Sequence, residues 1–212
     1  ALATASETWR VQHAREWLGR ELAPWPEPCV VAAQVDDSAG GGATSFLFTP
    51  AGPRSIAGDW RGRREKLIAD VIPHEVLHAV LATHFGRPLP RWLDEGACSS
   101  VETAETRHML ASLNVEFLQT GRGIAFNRLF ALTAYPRDVG AFYAQSHSLA
   151  TFLLRHEGGP AGEVGESEST IGRRRFIDFV ERGLPAGDWP GAVQAMYGYR
   201  SLSELQLAWL EW

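Results

Sequence analysis

Cysteine, clusters of basic residues and long hydrophobic runs are all scarce in this sequence. Its 212 residues include two cysteines, Cys29 and Cys98, which are too few for a disulfide scaffold and are not spaced as a CxxC metal knuckle. Two buried thiols are therefore expected, with a single bridge as the alternative in an oxidising compartment. The formal net charge of −5, without a block of Lys or Arg, argues against nucleic acid or an anionic membrane as a partner. The longest apolar runs, such as 29–33, are too short to span a bilayer.

The composition is that of a folded globular protein. Hydrophobic residues make up 45% and charged residues 21% of the chain, close to globular averages. A chain of this length buries about 70% of its unfolded surface, so one domain is expected, and a monomer is favoured. The chain begins with Ala1-Leu2-Ala3, which resembles the end of a small-residue cleavage box. This favours a secreted or periplasmic location, with the cytoplasm as the alternative.

The N-terminal part of the chain predicts one helix followed by a small β-sheet. Ser6 is a suitable cap for the helix, which several prolines then end. Apolar and β-branched segments predict strands at 29–35, 44–49 and 54–57. The triple glycine at 40–42 lacks the Lys-Ser/Thr that follows a phosphate loop, so we interpret it as a flexible hairpin tip.

From Arg63 onward the apolar residues recur at helical spacing. Pro73 must either kink the first helix or lie in the first turn of a new one. The segment 157–170 is rich in Gly, Glu and Ser, which predicts a mobile surface loop. Helices are predicted at 64–85, from 91 to about 105, through Leu110 and Phe117, from about Asp138 through Leu153, and at 171–182, 189–197 and 201–212.

The sequence His-Glu-Val-Leu-His at 74–78 is an HExxH motif in the first of these helices. Because residues four apart lie on one helix face, His74 and His78 can both reach one metal ion, with Glu75 beside them. Two neutral imidazoles leave positions on Zn²⁺ for a third ligand and for a water, whose pKa falls to about 7. Glu75 can then accept the proton of that water and pass it to a leaving amine. The motif predicts a zinc-dependent hydrolase.

A candidate third ligand follows in the next predicted helix. Sixteen residues lie between His78 and Glu95, which belongs to a Trp-Leu-Asp-Glu-Gly sequence. HExxH followed by such a segment resembles the gluzincin metallopeptidases, in particular the small peptidase-MA-like domains related to thermolysin and the zinc aminopeptidases. The resemblance implies that His74, His78 and Glu95 bind Zn²⁺, and that Glu75 is the catalytic base of peptide-bond hydrolysis.

The resemblance also implies a zincin-like α+β fold, and it covers about 46–212. A single domain is expected, in which 1–62 supplies an N-terminal helix and small sheet, 63–105 the zinc-site helices, and 106–212 a helical C-terminal part. By the same resemblance, the strand at 54–57 is the sheet edge that pairs with an extended peptide substrate. The interval between His78 and Glu95 is shorter than in thermolysin-like enzymes, and no Gly-Ala-Met-Glu-Asn-type strand precedes the HExxH helix. An endopeptidase is therefore favoured over an amine-recognising exopeptidase.

The oxyanion formed during hydrolysis needs a hydrogen-bond donor. Tyr143 and His147 are four residues apart on one face of the predicted fourth helix, and related enzymes use Tyr or His in this role. Tyr143 is favoured, because it heads a Tyr-Ala-Gln-Ser sequence that resembles the Tyr-x-Gln-Ser helix of the small domains. Packing at the rim of the core is the alternative for both side chains. His84 and His108 lie off the ligand face and are expected to be ordinary surface or packing residues.

Cys98 is the rival third ligand, because peptide deformylases combine HExxH with a cysteine from a Glu-Gly-Cys segment. That segment precedes the helix in deformylases and follows it here, so Glu95 is favoured. Asp94 is expected at the surface or at a helix cap. Ser99 or, less favoured, Glu102 would hold the second nitrogen of a ligand histidine.

Two other classes of function are compatible with these residues. One is a binding or structural module that keeps the zincin fold without activity, although the intact Glu75 argues against it. The other is a zinc amidohydrolase that acts on a non-peptide amide, because the same chemistry attacks any such carbonyl.

Overall fold

A computed structural model describes residues 1–25, 27–50, 52–156 and 167–212. The chain is an α+β protein, with a three-stranded sheet on the N-terminal side and a mostly helical remainder, which confirms the predicted class at this level. The N-terminal elements are α1 (Leu2–Leu18), β1 (Val30–Val35), β2 (Gly41–Thr49) and β3 (Gly52–Gly62). The helices that follow are α2 (Arg64–Lys66), a π-helical turn (Leu67–Val71), α3 (Ile72–Phe85), α4 (Arg91–Ser99), α5 (Ala104–Gln119), α6 (Phe126–Leu129), α7 (Val139–Arg155), α8 (Glu168–Gly183), α9 (Trp189–Tyr197) and α10 (Leu202–Glu211).

The sheet has the strand order β1-β3-β2, with β1 parallel and β2 antiparallel to β3. The expectation that 54–57 forms the sheet edge is wrong in strand order, because these residues belong to the central strand and pair with β2, although 54–56 lie beyond the pairing with β1, which begins at Ala57. Strand β2 is instead the edge beside α3. Gly41 and Gly42 lie inside β2, so the triple glycine is not simply a hairpin tip. Gly40, with φ of 92°, is the residue that needs the left-handed conformation in the preceding turn.

The helix that carries the HExxH sequence has a proline in its first turn. Pro73 lies in the first turn of α3, directly after the π-helical turn, which confirms the second of the two predicted possibilities. Proline has no N–H to donate to the preceding turn, so a regular helix from Arg64 through this position would lose a hydrogen bond. Helix α3 ends where Gly86 adopts φ of 64°.

The predicted helix from 91 to about 105 is two helices in the structure. Helix α4 ends at Ser99, and α5 begins at Ala104 after the N-cap Thr103. The buried Asp70 carboxylate accepts a hydrogen bond from the backbone N–H of Thr103, at 2.5 Å, and so supports the start of α5. This break leaves Glu102 in a turn next to α3.

The hydrophobic core lies where α3, α4 and α7 pack together and against the C-terminal helices. Side chains of all three helices are fully buried there, including Leu77, Val80, Trp92, Leu93, Phe142 and Leu149. Gly96 allows α4 to approach α7 closely, because a side chain at this position would collide with the backbone oxygen of Ser146. The predicted loop at 157–170 lies mostly outside the described residues, but its last three residues are helical, in α8, behind the N-cap Ser167. None of the described helices is both long and apolar enough to cross a membrane.

Helix α1 is fixed to α3 by a histidine outside the HExxH sequence. The Nε2–H of His13 donates to the backbone oxygen of Pro73 at 2.9 Å, while its Nδ1 is buried without a partner in the described structure. Burial lowers the pKa of His13 to about 4, because desolvation disfavours the charged ring and outweighs the hydrogen bond to Pro73. The unfolded chain, with an ordinary pKa of about 6.5, takes up that proton more readily.

We therefore expect the folded protein to lose stability as the pH falls from about 6.5 towards 4. The contribution of His13 to the free energy of unfolding is fully present above pH 6.5. About 3 kcal/mol of it is lost near pH 4, at about 1.4 kcal/mol per pH unit. Urea unfolding over this range, with a chelator present throughout, measures the effect. The His13→Leu variant has no titrating group at this position, so its stability should fall less steeply. Equal pH dependence in the two proteins would contradict the assignment.

Candidate metal centre

Helices α3 and α4 bring His74, His78 and Glu95 together. The Nε2 atoms of His74 and His78 lie 3.4 Å and 3.7 Å from the same carboxylate atom, Oε2 of Glu95. The ligand atoms of the three residues are all within 4.8 Å of one another. The turn at 86–90 reverses the chain between the helices, so the spacing between His78 and Glu95 spans one short connection. The three side chains expected to form a metal site are therefore adjacent in the folded chain.

Each imidazole is held in orientation by a carboxylate on its other nitrogen. The Nδ1 of His74 donates to Oε1 of Glu102 at 2.6 Å, and the Nδ1 of His78 donates to Oδ1 of Asp94 at 2.8 Å. These bonds fix the rings so that both Nε2 atoms face Glu95. The expectation that Asp94 is a surface or capping residue is wrong, because its side chain is buried against His78.

The charges within the cluster keep Glu95 ionised. Burial by itself raises the pKa of Glu95, but the adjacent His74 and His78 outweigh this and hold the pKa well below its usual range. Burial lowers the pKa of His74, but Glu102 and Glu95 outweigh this and raise it to about 9. Glu95 is thus a carboxylate at neutral pH, which is the form that binds a cation.

The donor set fits zinc. Two imidazole nitrogens and one carboxylate oxygen are ligands that Zn²⁺ prefers, and three protein ligands leave a coordination position open. The carboxylates of Glu102 and Asp94 are the outer partners that metal-binding histidines usually have. The three ligand side chains are only slightly exposed, with relative side-chain exposures of 13%, 10% and 4% for His74, His78 and Glu95.

Glu75 is positioned by strand β2. Its Oε2 accepts a hydrogen bond from Oγ1 of Thr44 at 2.7 Å. A Cβ atom at Gly42 would lie 2.7 Å from Oε1 of the same carboxylate, so the glycine leaves the room that this side chain needs. Gly42, Thr44 and Glu75 all line a cavity of about 360 Å³, together with the three candidate ligands. The sequence did not indicate that Thr44 and Gly42 belong to the site, because they contact Glu75 only through the pairing of β2 with β3 beside α3.

Two tyrosines form the wall of this cavity opposite β2. The hydroxyl of Tyr135, from the segment between α6 and α7, donates to Oε1 of Glu95. Tyr143 of α7 lines the same cavity, and its ring stacks on that of Tyr135 with centroids 6.1 Å apart. Burial and the nearby Glu95 raise the pKa of Tyr135 to about 12, so it stays protonated and able to donate. Tyr135 was missed in the sequence because it lies in an irregular segment outside every motif.

His147 does not line this cavity, although it shares a helix face with Tyr143. Its ring is buried between α7 and α4, where Nδ1 lies 3.2 Å from Oγ of Ser99. Ser99 therefore contacts His147 and not a candidate ligand, and the partner of His74 is Glu102 instead. Burial lowers the pKa of His147 to about 4, which keeps the ring neutral.

His84 and His108 do not line the cavity that the three candidate ligands line. His84 lies near the C-terminal end of α3 and pairs with Glu181 at 3.0 Å. His108 lies on an exposed face of α5.

Cys98 lies close to His78 and Asp94. His78, Asp94 and Cys98 form a second group whose possible ligand atoms are within 4.8 Å of one another. Burial raises the pKa of the Cys98 thiol well above its usual range, whereas metal ligation needs a thiolate. Cys98 is also fully buried and does not line the cavity. Both cysteines are free, as expected, although Cys29 is only partly buried.

The site is built from residues of three helices and one edge strand. Its ligand candidates come from α3 and α4, and Glu75 comes from the same turn of α3 as His74. Tyr143 comes from α7, and β2 forms another wall of the cavity.

Comparison of the chain with family models, curated proteins and solved structures gave no match in any of the three.

Proposed function

We propose that this chain is a zinc-dependent peptidase of the gluzincin type, with a zincin-like arrangement of its sheet and helices. The observation that carries the proposal is the convergence of His74 Nε2 and His78 Nε2 on Oε2 of Glu95. Glu75 lines the same cavity, which is the position that a general base requires. The proposal names His74, His78 and Glu95 as the residues that would hold the ion.

A bound Zn²⁺ would supply Lewis-acid polarisation of the scissile carbonyl and lower the pKa of a water to about 7. The residues of the chain then handle the protons. Glu75 accepts the proton of the attacking water and gives it to the leaving amine, while Thr44 holds one oxygen of its carboxylate in place. Asp94 and Glu102 keep the two imidazoles oriented throughout.

Tyr143 is the proposed donor to the oxyanion. Its side chain lines the cavity, whereas that of His147 is buried beside Ser99, so position favours Tyr143. Tyr135 has a different proposed role, because its hydroxyl already donates to Glu95. By holding Oε1, it leaves Oε2 of the same carboxylate directed at the two histidines. Tyr135 is therefore proposed as a positioning residue.

The substrate would lie along β2. This strand is an edge of the sheet. Four of its residues line the cavity, namely Gly42, Ala43, Thr44 and Phe46. An extended peptide can add to such an edge through backbone hydrogen bonds, with alternate side chains entering pockets. This moves the proposed peptide-binding edge from 54–57 to β2.

The direct test is metal content together with peptide cleavage. We expect about one zinc per chain by elemental analysis, removed by a strong chelator with loss of activity and restored by added zinc. A broad peptide library analysed by mass spectrometry then distinguishes a peptidase from an amidohydrolase and from a binding module. Stoichiometric binding of a different metal, or no binding after dialysis against zinc, would contradict the proposal.

A further inference from the structure

A second cavity, of about 400 Å³, adjoins the metal cleft and has two arginines in its wall. The two cavities share Thr44 and Phe46 of β2, and Arg91 and Asp94 of α4. Arg87, in the turn between α3 and α4, lines only the second cavity. We call this second space the arginine cavity. It lies along the same edge strand that borders the candidate metal centre.

Neither arginine of this cavity forms an ion pair within the described part of the chain. Within the described ranges, no carboxylate lies at ion-pair distance from Arg87 or Arg91, and both side chains are exposed. Other arginines of the chain do have such partners, as Arg122 has in Asp138 and Arg173 has in Glu16. The guanidinium of Arg91 lies over the ring of Tyr135, 5.1 Å from its centroid, which holds it at the boundary of the two cavities.

The cavity has a surplus of positive charge. Asp94 is the only acidic residue among the described residues that line it, and its Oδ1 accepts a hydrogen bond from Nδ1 of His78 at 2.8 Å. Phe46 and Phe48 form an apolar wall, with their rings 5.1 Å apart. A guanidinium presents its N–H groups in a planar fork that matches a carboxylate. An apolar wall beside two guanidiniums without a carboxylate partner in the described ranges suits a short side chain or chain end that carries a carboxylate.

We propose that the arginine cavity is a substrate subsite that binds a carboxylate of the peptide, through Arg87 and Arg91. This inference rests on the proposed peptidase function and names its substrate class. The carboxylate belongs either to an Asp or Glu side chain near the cleaved bond or to the C-terminus of the peptide. Both sources present the same chemistry to the two guanidiniums.

Two sets of peptides distinguish the sources. In the first, both ends are blocked and Glu is exchanged for Gln at each position flanking the cleaved bond. In the second, one neutral peptide is compared as the free acid and as the C-terminal amide. We expect one set to show a roughly three- to tenfold higher kcat/KM for the carboxylate form, the range that one or two partly exposed ion pairs provide. The preference should shrink in about 1 M salt, where the Debye length is about 3 Å.

Substitution of the arginines assigns the preference to this cavity. In Arg87→Gln the ratio of the two rates should fall towards one, and Arg91→Gln should act in the same direction. Arg182→Gln is the matched control, because Arg182 is exposed at the end of α8, away from both cavities, and the ratio should be unchanged. A ratio that survives loss of both arginines would overturn the proposal.

Binding measurements separate failure of this inference from failure of the proposed function. Calorimetric titration of the same peptides into the zinc-loaded Glu75→Gln variant needs no turnover. If no peptide is cleaved but carboxylate forms bind more tightly in an Arg87-dependent way, the subsite stands and the peptidase proposal fails. If neither cleavage nor binding differs within either peptide set, the subsite is refuted whatever the activity.

Discussion

Replacing Glu75 with Gln is expected to lower the rate of peptide hydrolysis by roughly 10²–10⁴-fold, the usual contribution of a positioned general base. The amide has nearly the shape of the carboxylate and can still accept the hydrogen bond from Oγ1 of Thr44. It cannot accept the proton of the attacking water at neutral pH, so the chemical step is slowed. Zinc content and the unfolding transition should be nearly those of the parent protein, since Glu75 is not one of the proposed ligands.

The loss is measured as kcat for a peptide identified in the library screen, with zinc quantified in the same sample. Glu105→Gln is a matched control, because Glu105 is an exposed carboxylate in the first turn of α5 and does not line the cavity. Its rate should equal that of the parent. Parental activity in Glu75→Gln would show that the base is assigned wrongly and would make a binding module the better hypothesis.

Replacing Glu95 with Ala is expected to weaken zinc binding by at least about 10–100-fold, a loss already seen when only an outer partner of a ligand is removed. The change takes away the oxygen on which both Nε2 atoms converge, and it leaves the hydroxyl of Tyr135 without its acceptor. Affinity is measured by competition with a chromophoric chelator. Cys98→Ser is the comparison, and it should cost some packing in the core while leaving zinc affinity and activity close to those of the parent.

Cobalt substitution tests independently whether Glu95 or Cys98 is the third ligand. A thiolate ligand produces an intense sulfur-to-metal charge-transfer band, and a site of two histidines and one glutamate does not. We expect no such band, because burial keeps the Cys98 thiol protonated and the Nδ1 of His78 is already bonded to Asp94. A band that disappears in Cys98→Ser would transfer the third ligand from Glu95 to Cys98.

Local sequence signals predicted the main elements and identified the candidate ligands. The β-branched segments predicted three strands, and the helical spacing of apolar residues after them predicted a series of helices. Helix α9 has the predicted bounds. Four-residue spacing predicted that His74 and His78 share a face, since helix geometry alone determines this. Pro73 restricted where α3 can begin for a similarly local reason, because proline has no backbone N–H to donate.

The strand order and the partners of the ligands depended on contacts between distant parts of the chain. Whether 54–57 is an edge or a centre depends on which strands pair with it, and its sequence is equally compatible with both. Glu102 can contact His74 because α4 ends at Ser99. The N-cap of α5, Thr103, is supported by Asp70, which lies 33 residues earlier in the sequence. His147 and Tyr143 share a helix face, yet the packing of α4 against α7 buries only His147 beside Ser99.

The sequence by itself therefore determined the chemistry that is available, namely two imidazoles and a carboxylate base at short helical spacing, and a second carboxylate, the candidate third ligand, in the next helix. Only the tertiary structure decided how that chemistry is supported. Asp94 became a partner of His78, Tyr135 became a donor to Glu95, and β2 became the edge beside the cleft. The physical reason is that helix and strand spacings are fixed by local backbone geometry, whereas side-chain orientation at a site is set by whichever distant groups the packed core brings within hydrogen-bond distance.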